Sequence, residues 1–211
     1  MTDAGAGSYR VEYELFDVAK QERLLGLAMT ARSNAMRDVA HQISDAIYEK
    51  ILGVRGAFWT RIAYVTATGL GRDARYALVV ADADGHNPRT VVNSTEPLMS
   101  PSWSPDGRRL AYVSFEGGNS GVYIQDIASG NREKVASFRG INGAPAFSPD
   151  GRRIAYFAHD SGGRVQVWLQ DADRSNAVPL RLTSHADVSP TRIRWTPDGA
   201  VGEMFQTIAK H

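Results

Sequence analysis

Cysteine is absent from the 211 residues. That removes disulfides, thiolate-bound zinc and thiol catalysis together. No run of 18 apolar residues occurs, so no segment reads as a transmembrane helix. Met1 to Ser8 is small and polar, without a basic head or an apolar stretch, and does not read as a signal peptide. An excess of one charge is missing too. The 24 Lys and Arg stand against 23 Asp and Glu, a formal net charge of +1, whereas a nucleic-acid surface needs a concentrated basic face. No glycine-rich phosphate loop is present. Gly118-Asn-Ser-Gly121 fails as a nucleophile elbow because Val122 stands where its last glycine belongs. The histidines, His41, His86, His159, His185 and His211, share no metal-ligand spacing. Asp82 and Asp84 lack the third spaced ligand and closing Glu of a calcium loop. No catalytic, metal or cofactor site is expected from these residues.

Apolar residues make up 43% of the chain and glycine contributes 20 positions, a composition that suits a turn-rich globular protein. Tyr9, Val11, Tyr13 and Leu15 alternate with Arg10, Glu12 and Glu14, the period of a half-buried strand. Residues 17–23 read as a turn, and Leu24 to Thr30 as the returning strand. A helix follows, with Ser33 or Asn34 available as its cap. Met36, Val39, Ala40, Ile43, Ile47 and Ile51 form one apolar stripe, and Gly53 stands where the helix should end. Arg37, Asp38, Gln42, Asp45 and Glu49 lie opposite and read as a solvated face. His41, beside the stripe, is expected to be partly buried. Two strands and one helix give a thin core, so the segment is expected to be the tail of a larger α+β domain. Residues 53–60 read as a hinge.

From residue 61 onward the chain repeats. Pro101-Ser-Trp-Ser-Pro-Asp-Gly-Arg-Arg-Leu-Ala-Tyr-Val-Ser114 returns as Pro145-Ala-Phe-Ser-Pro-Asp-Gly-Arg-Arg-Ile-Ala-Tyr-Phe-Ala158, and more weakly from Thr191 to Gly199. Asp106, Asp150 and Asp198 are 44 and 48 residues apart, and Ile62-Ala-Tyr-Val65 precedes Leu110-Ala-Tyr-Val113 by 48. Such periods, with short strands and glycine turns, mark propeller blades. In each unit an aromatic strand (Trp103, Phe147, Trp195) runs into Ser/Thr-Pro-Asp-Gly, where proline fixes φ and Asp-Gly tolerates a tight hairpin. Three more strands complete a four-stranded unit. The small Ala63, Ala111 and Ala155 suit close contact between blades. The three aspartates read as turn chemistry rather than as acid–base or metal groups. Ala200 to His211 does not read as a blade strand.

The segments Leu98 to Gly107, Leu110 to Glu116, Val135 to Phe138 and Asn142 to Gly151 resemble the TolB family, as do Gly56-Ala-Phe58, Thr60 to Val65 and the helix end Ile47-Tyr-Glu-Lys-Ile-Leu-Gly53. The resemblance covers about residues 9–158. It implies a mainly β chain: an incomplete β-propeller over 57–211, with about three four-stranded blades of an expected six, preceded over 1–56 by the C-terminal part of a small α+β domain. On that resemblance the family's signal peptide, its TolA-binding N-terminus, the first half of its first domain and about three of its six blades are expected to be missing. The resemblance implies a non-enzymatic periplasmic adaptor of the Tol-Pal system, acting in outer-membrane integrity, constriction at division and colicin import. Implied partners are the lipoprotein Pal at the mouth of the propeller channel, TolA through an N-terminal segment, and colicins. Neither nucleic acid nor a cofactor is implied.

Loops entering each blade's first strand line that mouth. Gly140 to Pro145 corresponds to the family's Pal-facing loop, which makes Ile141, Asn142, Gly143 and Ala144 candidate contacts. Ser94 to Met99 and Ser184 to Thr191 are the equivalent loops, adding Glu96, Leu98, Met99 and Thr191. Two other readings stay open. The blades could belong to a prolyl-oligopeptidase-like hydrolase, or the chain could be a truncated remnant whose open sheet edges favour low stability or self-association.

Overall fold

The computed structural model describes residues 1–174, 176–184 and 189–206, with backbone alone at 189–192 and 202–206. Contacts divide the chain into two units, Met1–Ile62 with Ala81–Pro88, and Ala63–Val80 with Arg89–His211.

In the first unit, strands β1 (Thr2–Gly5), β2 (Ser8–Asp17) and β3 (Glu22–Arg32) form one antiparallel sheet in that order. The odd residues of β2 are half-buried and the even ones exposed from Tyr9 to Leu15, as the alternation requires. Strand β1 carries no such signal. All four of its residues are exposed, and it is held through backbone pairing of Thr2 with Arg10 and Asp3 with Tyr9. The turn before β3 is tighter than expected, since β2 runs to Asp17 and β3 starts at Glu22.

Helix α1 (Met36–Leu52) packs on β3. Neither Ser33 nor Asn34 caps it. Ser33–Ala35 form a turn of 3₁₀ helix and Ala35 holds the cap position without a side-chain bond, which leaves both candidates upstream of the cap, with Ser33 N–H donating to Gly7 C=O at 3.1 Å. Gly53 ends the helix, its N–H donating to Glu49 C=O at 2.8 Å. Val39 is buried and Ile43 and Ile47 half-buried, while Ile51 and Leu52 are 60% and 56% exposed. The apolar stripe is therefore covered at its N-terminal end only. The opposite face is more than solvated surface. Asp45 accepts from Phe58 N–H at 2.8 Å and Trp59 N–H at 3.1 Å, which fixes the hinge segment. Arg37 pairs with Asp84, and half-buried His41 brings Nε2 to 3.4 Å from the same carboxylate.

The repeats form successive antiparallel sheets. The first contains β4 (Arg61–Thr68), β5 (Arg75–Asp82) and β6 (Arg89–Ser94). The second has four strands, β7 (Leu98–Trp103), β8 (Arg109–Ser114), β9 (Gly121–Asp126) and β10 (Arg132–Ala136). The third also has four, β11 (Asn142–Phe147), β12 (Arg153–His159), β13 (Val165–Asp171) and β14 (Leu180–Arg181). The fourth has two, β15 (Ser189–Trp195) and β16 (Val201–Gln206). This is a partial propeller. Strand β16 corrects the reading of Ala200 to His211: its backbone pairs with β15 from Val201–Trp195 to Gln206–Ser189, and ladder bonds carry it without the Leu/Ile-Ala-Tyr pattern that marks the other copies.

Each sheet buries its face against the next. Leu78 and Val80 meet Leu110 and Tyr112; Val122 and Ile124 meet Ile154 and Tyr156; Phe157 and Val167 meet Ile193. Ala111 and Ala155 are fully buried at these seams, where a larger side chain would hold the sheets apart. An arginine bridges two of the seams. The Arg109 guanidinium lies 5.3 Å from the Phe147 ring and donates to Gly151 C=O at 3.0 Å and to Asp173 at 2.6 Å. Arg153 lies 5.4 Å from the Trp195 ring.

The Ser/Thr-Pro-Asp-Gly turns behave as expected. Ser148 Oγ donates to Asp150 at 2.5 Å and accepts Arg153 N–H at 2.9 Å, and Asp150 also accepts Arg152 N–H at 3.1 Å. Ser104 and Asp106 repeat the pattern, and Thr196 donates to Asp198. Gly107 and Gly151 have φ of 67° and 70°, the region that asks for glycine. The hydroxyl bond first, and the backbone N–H second, hold Asp106 and Asp150 below the usual carboxylate range.

Leu110 and Ile154 are fully buried, so truncation of either to Ala is expected to cost about 2–5 kcal/mol and Ile154→Val about 0.5–1.5 kcal/mol, read from denaturant midpoints. Because folding depresses Asp106 and Asp150, their contribution is complete above about pH 3.9 and is lost as pH falls further through their folded values. Asp106→Asn/Asp150→Asn should flatten the acid side of the stability profile below about pH 4 relative to the parent; parallel profiles would contradict it.

Candidate functional site

Among the first strands of three successive sheets, β11 neighbours both β7 and β15, and the three line an open groove of about 650 Å³. Ser100, Pro101, Ala144, Pro145, Ile193 and Trp195 are among its walls. Ser100 and Ala144 hold equivalent places and share positive φ, 52° and 45°. Each sits inside a register shift, Met99/Ser102 in β7 and Gly143/Ala146 in β11. The bulge bends each strand as it enters the groove. Trp195 Nε1 donates to Ala146 C=O at 3.0 Å, tying the third wall to the second.

The segments that deliver the chain to β7 and β11 form the rim, and the expected contact residues separate there into two kinds. Glu96, Met99 and Ile141 are exposed, Met99 at 51% and Ile141 at 59%. Leu98 and Asn142 occupy equivalent positions and are 4% and 1% exposed. The expectation that they face a partner is corrected for both. Leu98 belongs to the seam between the first two sheets. Asn142 spends its whole amide on the protein: Nδ2 donates to Ser120 C=O and Phe138 C=O at 2.8 Å, and Oδ1 accepts Phe138 N–H at 2.8 Å. Its own N–H donates to Ser120 Oγ at 2.8 Å. Gly143 and Ala144 are half-buried, Ala144 against the third core cluster. Thr191 lies in β15 by its backbone and its side chain lies outside the described residues, as do 185–188 of the third loop.

Ser120 and Phe138 carry no sequence signal of this role. Both act through hydrogen bonds with Asn142 that cross 22 and 4 residues, and no motif announces them. The rim of the third sheet also carries Asp160, which accepts Arg164 N–H at 3.0 Å and Gly162 N–H at 2.9 Å and pairs with Arg181 at 3.5 Å. Those backbone bonds, Arg164 N–H foremost, hold its carboxyl below the usual range. The histidines and acids of the described residues form no cluster of three that could hold a metal ion.

Residues 48–205 match the family model described as the TolB beta propeller domain. The chain is 78% identical over 142 residues to the Tol-Pal system protein TolB of Xanthomonas campestris pv. campestris, a match spanning 67% of this chain and 32% of that protein. The chain thus spans about a third of the length of the curated relatives it matches. The crystal structure of TolB from Acinetobacter baumannii superposes with a TM-score of 0.83 at 38% identity, over 93% of this chain and 48% of that one. A putative TolB from Agrobacterium tumefaciens, 24% identical over 72% of this chain and 53% of its own, shares the fold with a TM-score of 0.60.

Asn142→Ala is expected to destabilise the chain by about 1–3 kcal/mol for each buried group it leaves unpaired, measured by chemical denaturation. Met99→Ala should stay within about 0.5 kcal/mol of the parent. Equal losses at the two positions would contradict the division between framework and exposed rim.

Proposed function

The chain belongs to the TolB family, and on that premise we propose that it carries part of a non-enzymatic periplasmic adaptor of the Tol-Pal system, which binds the lipoprotein Pal through the rim of its first strands. Its role is to help maintain the outer membrane and its constriction at division, with colicins exploiting the same protein during import. On the same proposal TolA is a second partner of the adaptor.

The observation that carries this reading is the rim itself. Glu96, Met99 and Ile141 are exposed on segments whose neighbours, Leu98 and Asn142, are locked into the framework. Exposed side chains on a rigid support fit recognition of another protein. The family match, a TolB propeller model over residues 48–205 and 78% identity over 142 residues to a Tol-Pal system protein TolB, supports the adaptor over a hydrolase.

Calorimetric titration of the folded chain with the soluble domain of a Pal lipoprotein should give saturable binding, weakened severalfold or more by Met99→Asp or Glu96→Lys with the melting transition unchanged. A folded chain that releases no heat and never saturates would sink the reading for this segment.

A further inference from the structure

We propose that the outer edge of β6 pairs with β6 of a second copy of this chain, strand to strand, about a two-fold axis passing between Val91 and Val92. This surface is separate from the adaptor's rim, because β6 is an end strand of the first sheet and the groove is lined by β7, β11 and β15.

Strands β6, β10 and β14 hold equivalent places at the outer edges of the first three propeller sheets. An edge strand offers unpaired N–H and C=O groups to any other strand, and proteins blunt such edges with charge, proline or brevity. In β10 charge does this, with Arg132, Glu133 and Lys134 exposed in succession. In β14 brevity and proline do it: the strand is Leu180–Arg181 alone, directly after Pro179, which has no N–H. Strand β6 has neither defence. Its six residues, Arg-Thr-Val-Val-Asn-Ser, contain no proline and one charge. That charge is engaged within the chain, since Arg89 donates to Ile127 C=O at 3.2 Å.

The ladder decides which residues of β6 face outward. Asp82 N–H donates to His86 C=O at 2.9 Å, and β5 meets β6 at Val80–Arg89, Leu78–Val92 and Tyr76–Ser94. The alternation of an antiparallel pair then turns the backbone of Thr90 and Asn93 away from β5. Both residues are exposed. Val91 is the extra residue of the bulge between them, and its C=O accepts from Gln125 Nε2 at 3.1 Å.

The edge is complementary to itself. A two-fold axis between Val91 and Val92 sets Thr90 opposite the partner's Asn93, Val91 opposite the partner's Val92, and Arg89 opposite the partner's Ser94. Polar residues meet polar ones, apolar meet apolar, and no two charges are opposed. The same operation at the centre of β10 would set Lys134 against the partner's Lys134. The contact made by β6 is isologous and closes at two copies, joining two three-stranded sheets into one of six.

Sedimentation equilibrium of the folded chain over a concentration series should show a reversible monomer–dimer equilibrium. Thr90→Lys/Asn93→Lys opposes two lysine pairs across the axis and should weaken the dimer about tenfold or more, with the melting transition of the monomer little changed because both positions are exposed. Thr90→Glu/Asn93→Glu should weaken it likewise. An equimolar mixture of the two variants should associate again, since every lysine then faces a glutamate. A parent that stays monomeric at millimolar concentration overturns the proposal. A lysine variant that dimerises as tightly as the parent assigns the association to another edge and overturns it too. Variants that stay apart when mixed overturn the register, and open-ended growth in place of a dimer overturns the two-fold arrangement.

Discussion

The contact between one sheet and the next carries the rest of the second unit. No sheet among the described residues has more than four strands, and one so small cannot bury a face by itself. Leu110, Tyr112, Ile154 and Tyr156 reach 0% exposure because a neighbouring sheet covers them. Two features let it approach. Alanine at 111 and 155 removes bulk at the point of closest contact. Arg109 and Arg153 lay their guanidinium groups over the aromatic ring of the following sheet, covering apolar area while keeping charge at the edge. The Ser-Pro-Asp-Gly turn is coupled to this contact, since Gly151 offers its C=O to Arg109.

That framework frees the connecting segments to differ. Leu98 and Asn142 occupy the same place in successive sheets and are both buried, yet one is held by apolar packing and the other by a closed set of hydrogen bonds. The site demands only that the chain be fixed as it enters the first strand. The side chain that each fixed point presents differs as well: Met99 projects after Leu98, whereas Ile141 projects before Asn142. A rim assembled this way has a constant support and variable side chains, a sound basis for binding another protein.

Much of this architecture is legible in the residues. The 44- and 48-residue spacing, the aromatic before Ser/Thr-Pro-Asp-Gly and the Ala-Tyr pair after it specify strand, hairpin and strand by local rules, and the two four-stranded sheets obey them. Tyr9 to Leu15 declares its half-buried strand by period. Strands β1 and β16 escape such a reading because ladder pairing is a backbone property that needs no pattern in the side chains. The helix cap departs from expectation because Ser33 and Asn34 are taken into a 3₁₀ turn, which leaves Ala35 at the cap position.

The sequence by itself determined the repeat, its hairpin turns and the small alanines 111 and 155, since each is a local pattern of residues within a few positions of one another. Which rim residues face outward was decided only in the tertiary structure. Leu98, Met99, Ile141 and Asn142 hold neighbouring places in the repeat, and nothing local separates buried from exposed among them. Ser120, 22 residues from Asn142, and Leu110 and Tyr112 on the neighbouring strand make the separation, because burial is a relation between segments and not a property of either one.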